Sequence, residues 1–138
     1  MAVLPDKDKL VKNFSRCANR EERYLYMIEL GQRLDTLPAD LHCKDNLVEG
    51  CQSQVWLVLG VTEEGLVRFR GDSDAALVKG LLAIVFSLYQ GLTPEAVVAL
   101  DVRPWFERLD MARQLTPSRT QGLEAMIRTI KRKAGQLM

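Results

Sequence analysis

An α+β fold, with a small antiparallel three-stranded sheet packed against helices, is the architecture this 138-residue chain predicts. Residues 55–61 and 66–71 are two β-rich runs separated by Thr62-Glu63-Glu64-Gly65, a turn of hairpin length, and Leu47-Val48-Glu49 is a short extended run just before them. Residues 75–89 form a stretch of helical length in which Lys79 is the single charge, so the helix is buried on nearly all sides. Leu123, Met126, Ile127, Ile130, Ala134 and Leu137 follow the i, i+3, i+4, i+7 spacing of a second amphipathic helix.

The remaining elements follow in order. A first helix starts at Pro5, a residue suited to the first helical position, and carries Leu10, Phe14 and Cys17 inward on one face. Asn19 with Glu22 has the form of a capping box and opens a second helix bearing Tyr24, Leu25, Ile28 and Leu30, which Gly31 and Leu37-Pro38 weaken. These two helices make an amphipathic pair. Residues 37–46 are irregular and polar. In the hairpin, Val67 and Phe69 alternate with Arg68 and Arg70, so one face of the sheet is buried and the other wet. Asp72, Ser73 and Asp74 supply N-caps for the central helix and Gly91 its C-cap. Thr93-Pro94-Glu95 opens a short helix, Trp105 and Phe106 anchor a bend at Asp101-Val102-Arg103-Pro104, and Thr116-Pro117-Ser118 precedes the last helix. Arg128, Lys131, Arg132 and Lys133 form a solvated basic face where the helix dipole favours cations.

Length, repeats and linkers give one domain, residues 1–138. Nineteen Lys and Arg stand against eighteen Asp and Glu, which excludes the dominant basic face a polyanion binder needs. The start of the chain turns charged at Asp6 without an apolar leader, and the apolar stretch from Leu77 to Leu88 is shorter than the ~20 residues of a membrane span. A cytoplasmic location is expected. Three cysteines, Cys17, Cys43 and Cys51, leave at least one thiol free under any pairing, and a reducing compartment disfavours disulfides.

Cys51 is the residue that offers chemistry. It lies in Gly50-Cys51-Gln52-Ser53-Gln54-Val55-Trp56, where a glycine able to take backbone angles closed to other residues presents a thiol beside a strand. Gln52, Ser53 and Gln54 surround it with hydrogen-bonding groups that suit a sulfur anion. An ordinary thiol is only a few per cent ionised at neutral pH, so activation needs a nearby cation or helix terminus that the sequence does not identify. A zinc site of Cys17, His42, Cys43 and Cys51 is disfavoured by spacing: there is no C-x-x-C pair and Cys17 falls in a helix. A thiol hydrolase would need His42, the single histidine, as its base, and no third member accompanies it. No G-x-G-x-x-G or Walker pattern points to a bound cofactor.

Three blocks in order resemble the SufE family of sulfur-acceptor proteins: Gly50 to Trp56, then Gly71-Asp72-Ser73-Asp74-Ala75-Ala76 with Val78-Lys79-Gly80-Leu81, then Leu115-Thr116-Pro117-Ser118-Arg119-Thr120-Gln121-Gly122-Leu123. The Cys-Gln-Ser-Gln form is closer to SufE than to the paralogous CsdE branch. The resemblance implies the α+β fold of the iron–sulfur scaffold proteins, with the cysteine on a loop at the sheet edge. It implies that Cys51 takes persulfide sulfur from the cysteine desulfurase SufS, stimulates that enzyme and passes sulfur to the SufBCD scaffold for iron–sulfur cluster assembly. The chain is then a carrier rather than an enzyme and has no cofactor of its own, pyridoxal phosphate belonging to the desulfurase; a homodimer is among the assemblies implied. Asp72, Asp74 and Arg119 become candidates for positioning the loop or meeting the partner, beside their plainer roles as helix caps and a salt bridge. The competing reading is an iron–sulfur or zinc scaffold of the same fold with Cys17, Cys43 and Cys51 as ligands.

Overall fold

The structure, a computed structural model, describes residues 4–138; Met1, Ala2 and Val3, on which the reading of the N-terminus partly rests, lie outside the described residues. In chain order the elements are α1 (Lys7–Ser15), α2 (Arg20–Gln32), two short 3₁₀ turns at Ala39–Leu41 and Lys44–Asn46, strands β1 (Val55–Val61) and β2 (Val67–Ser73), then α3 (Ala76–Tyr89), α4 (Pro94–Ala99), α5 (Arg103–Arg108), α6 (Met111–Gln114) and α7 (Pro117–Gln136).

The core forms around α3. Every residue from Gly80 to Tyr89 is buried, as the near absence of charge requires. Helix α2 crosses α3 with almost no side chains between the backbones. A Cβ on Gly31 would lie 2.8 Å from the Gly80 backbone nitrogen, and one on Gly80 would run into the Met27 carbonyl oxygen. Gly31 therefore does not weaken α2 but lets it approach α3. Met27 and Leu30 fill the contact, whereas Leu25, expected inward, is 60% exposed because about 200° of helical rotation separates it from Met27. Asn19 caps α2 by accepting from the Glu22 N–H at 2.9 Å, and the Glu22 carboxylate reaches back to the Ala18 N–H at 3.2 Å.

Helix α1 corrects the sequence expectation at both ends. The Asp6 carboxylate accepts from the Lys9 N–H at 2.8 Å and is the N-cap, so Pro5 precedes the helix. The helix ends at Ser15, which leaves Cys17 beyond it and half-buried.

Among the described residues the sheet has two strands rather than three. β1 and β2 pair antiparallel from Val55 opposite Ser73 to Val61 opposite Val67, with Val55, Leu57 and Val67 buried. The expected third strand is reduced to an isolated bridge between Leu47 and Trp56, with the Val48 N–H donating to the Val55 carbonyl at 2.7 Å. Gly50, at φ 95°, then turns the chain away from the sheet, and pairing stops. Downstream, Gly91 ends α3 at φ 76° and Thr93 caps α4 through the Ala96 N–H. The bend around Trp105 is a short helix, α5, with Arg108 4.7 Å from the Trp105 ring centre. No helix among the described residues is long and apolar enough to cross a membrane.

Candidate functional site around Cys51

The site lies where the loop after Gly50 meets the first half of α7. Thr116 starts that helix by accepting from the Arg119 N–H, and Gly122 and Ala125 then leave a shallow track along one face. Gly50 sits against this track: a Cβ there would lie 3.3 Å from Ala125 Cβ and 3.8 Å from the Arg128 guanidinium. The Cys51 thiol donates to the Gly122 carbonyl at 3.5 Å, and a side chain on Gly122 would touch its sulfur.

Beyond the sulfur is a cavity of 20 Å³ between the loop, α3 and α7, with Val78, Leu81, Met126 and Arg119 among its walls. That is room for about one water-sized atom. Burial pushes the Cys51 thiol above its ordinary value, and the positive charge of Arg128 only partly offsets this. In this arrangement the sulfur is sheltered, and its burial favours the neutral thiol over the thiolate.

The far end of the loop is pinned. The Gln54 carbonyl accepts from Ser73 Oγ at 2.7 Å and from the Asp74 N–H at 3.2 Å, and the Gln54 N–H donates to the Asp74 carboxylate at 3.0 Å. Gln52 and Ser53 border the cavity between these two anchors. The four residues 50–53 thus run from a positive-φ glycine to a fixed strand end.

Neither Asp72 nor Asp74 caps α3. Its N-cap position is Ala75, whose N–H is met by Ser73 Oγ at 3.3 Å, because both carboxylates are drawn to stronger partners. Asp74 holds Gln54. Asp72 receives His42 Nε2 at 2.8 Å, the Ser73 N–H at 2.8 Å and Lys79 Nζ at 3.3 Å. Burial alone would raise the Asp72 carboxyl, but the His42 hydrogen bond together with Ser73 and Lys79 holds it below the ordinary carboxylate value. His42 also faces the Pro38 carbonyl through Nδ1 at 3.0 Å and packs edge-on against Trp56 with 4.6 Å between ring centres. Both ring nitrogens thus point at acceptors. Doubly protonated imidazolium satisfies both, and the Asp72 hydrogen bond leads in raising its pKa.

His42 is therefore not the unengaged loop residue its setting suggests, and its ring is turned to Asp72 rather than to the Cys51 sulfur. Arg119 forms no ion pair among the described residues, contrary to the salt bridge weighed for it, and borders the Cys51 cavity instead. Cys17 donates to the Asn13 carbonyl and Cys43 is exposed; no group of three or more His, Cys, Asp or Glu is gathered for a metal among the described residues.

A family model described as SufE: Fe-S metabolism associated domain matches residues 8–134, nearly the whole chain. The chain belongs to the SufE family. Membership associates this SufE-family protein with iron–sulfur metabolism. A hypothetical protein from Thermus thermophilus, solved in solution, is similar over 98% of both chains with a TM-score of 0.76 and 21% identity, a likeness of fold. Sequence reasoning placed Arg128 on a solvated face and gave Gly122, though part of the third block, no role at the sulfur. The signal was the stripe Gly122, Ala125, Arg128, three residues apart, which leaves room on α7 for another chain segment.

Proposed function

We propose that this SufE-family protein is a sulfur acceptor that takes persulfide sulfur from the cysteine desulfurase SufS onto Cys51, stimulates its turnover and delivers the sulfur to the SufBCD scaffold. The observation that carries the reading is the half-buried thiol of Cys51, held by the Gly122 carbonyl beside a one-atom cavity on the loop that follows Gly50 at φ 95°. The Cys51 thiolate attacks the outer sulfur of the partner's persulfide. A sulfur–sulfur bond forms at Cys51 as the partner's bond breaks, and the electron pair leaves on the partner's cysteine as a thiolate. Cys51 has then lost its proton to solvent and carries the persulfide. No bond to pyridoxal phosphate is made on this chain, and that cofactor stays with the desulfurase.

Burial that suppresses the thiolate also shields a persulfide from oxidants and reductants. In this reading segment 50–53 swings out when the desulfurase docks, which removes the burial and leaves the attraction of Arg128. Arg119 and Asp74 serve as positioning residues, the first beside the sulfur and the second at the loop's fixed end. Incubation with SufS and L-cysteine is expected to add the mass of one sulfur atom to the peptide containing Cys51. An increment on Cys17 or Cys43, or one that persists in Cys51→Ser, contradicts the mechanism.

A further inference from the structure

We propose that the free edge of β2 is a docking site for an extended segment of a partner protein in which apolar and acidic residues alternate. The hairpin register fixes which backbone groups are available. Thr62 N–H donates to the Leu66 carbonyl, so in an antiparallel ladder the pairs that exchange hydrogen bonds are those of Arg68, Arg70 and Asp72 with β1. The N–H and C=O groups of Val67, Phe69 and Gly71 then point away from β1. Val67 N–H is taken by the Leu92 carbonyl at 2.8 Å, whereas half-buried Phe69 and buried Gly71, which lies against Leu82 and Phe86 but also lines the groove beside β2, have no backbone partner among the described residues. An unpaired run of this kind is a template for another strand.

Beside it lies a groove of 540 Å³ floored by Leu34, Leu66, Phe69 and Phe86 and walled by Arg33 and Asp35 after α2. A strand added here has alternate side chains on that apolar floor and the others on the opposite face, next to Arg68 and Arg70. Neither Arg68 nor Arg70 forms an ion pair among the described residues. Charge complementarity therefore selects acidic residues at the outward positions. The same arginines disfavour a second copy, because edge-to-edge pairing of two β2 strands sets arginine against arginine. The other edge of the hairpin receives Val48 and leads to Gly50 and Cys51, so a segment on β2 leaves the Cys51 loop free.

The probe is a blocked peptide of alternating glutamate and valine, about seven residues long to cover the edge, titrated into isotopically labelled protein while amide exchange is followed by NMR. Saturation is expected to slow exchange at Phe69 and Gly71. The double variant Arg68→Glu/Arg70→Glu is expected to bind at least about tenfold more weakly, with its circular dichroism and Cys51 alkylation rate unchanged. A lysine–valine peptide is expected to bind more weakly than the glutamate peptide. Independently of any variant, methylating the peptide amides that face β2 is expected to abolish binding to the wild type. The proposal is overturned if the glutamate peptide does not bind, if the lysine or methylated peptide binds equally well, or if the double variant binds like wild type. It is also overturned if Phe69 and Gly71 are already protected in the free protein, whether at all concentrations or increasingly as the protein is concentrated.

Discussion

Cys51 and His42 are both held toward their protonated forms, the thiol neutral through burial and the imidazole charged through its hydrogen bond to Asp72. Burial raises the Cys51 thiol, so its alkylation by iodoacetamide should titrate at a higher pH than that of a free thiol, and Arg128→Gln should push the midpoint higher still. A midpoint at or below the ordinary thiol value, or one unmoved in the variant, would show that neither burial nor Arg128 governs this sulfur. His42 is raised chiefly by its hydrogen bond to Asp72, so the one histidine signal in an NMR titration should have a midpoint above 6.5 that falls in Asp72→Asn. The linked stability has a definite sign. A histidine with a raised folded pKa contributes fully below its unfolded value and loses that contribution as pH rises through the folded value. Asp72, with a lowered pKa, contributes above its unfolded value of 3.8 and loses it on acidification. Wild type should therefore lose stability relative to His42→Gln as pH rises from about 6 through the midpoint measured for His42. A flat difference in urea midpoints over that range would separate the contact from its protonation.

At the level of elements, the crossing of α2 over α3 and the two anchors of the loop carry the arrangement. Gly80→Ala should destabilise by about 1–3 kcal/mol in urea unfolding, because the added methyl meets the Met27 backbone, which cannot rotate aside as a side chain can. Asp74→Ala should cost of order 1 kcal/mol and speed exchange of the Gln54 amide, leaving the amides of α3 unchanged. If Gln54 exchange is unaltered, Asp74 is not the anchor of the loop. The helices and hairpin are legible in the sequence because their signals are local: the Asn19–Glu22 cap, the apolar run of α3, the spacing along α7. The same holds for the turn at Gly50-Cys51. What sequence could not supply depends on partners far along the chain. Arg128 reaches the Gly50 loop only once α7 is folded against it, and His42 finds Asp72 across the hairpin. The missing third strand has a similar cause, since Leu47 and Val48 do extend toward β1 but Gly50 ends the pairing. Gly31 misleads for the converse reason: taken alone it weakens a helix, and only its contact with Gly80 gives it a use.

At the scale of the whole molecule, the proposed function asks one segment to move against a packed body. The buried α3, with α2 and α7 packed on it, fixes Gly122, Arg119 and Arg128 in place. Under the proposed function, segment 50–53 exchanges a sheltered position for a docked one, and Cys51 is its cargo site. Under the same proposal, stimulation of the desulfurase and carriage of sulfur depend on one side chain, because the acceptor thiol is what relieves the partner of its persulfide. The most direct measurement is SufS turnover of L-cysteine with wild-type protein and with Cys51→Ser side by side, at matched concentration and without added reductant. Wild type should stimulate turnover and Cys51→Ser should leave it at the rate of SufS alone; equal stimulation by both would contradict the assignment of Cys51 as the sulfur acceptor.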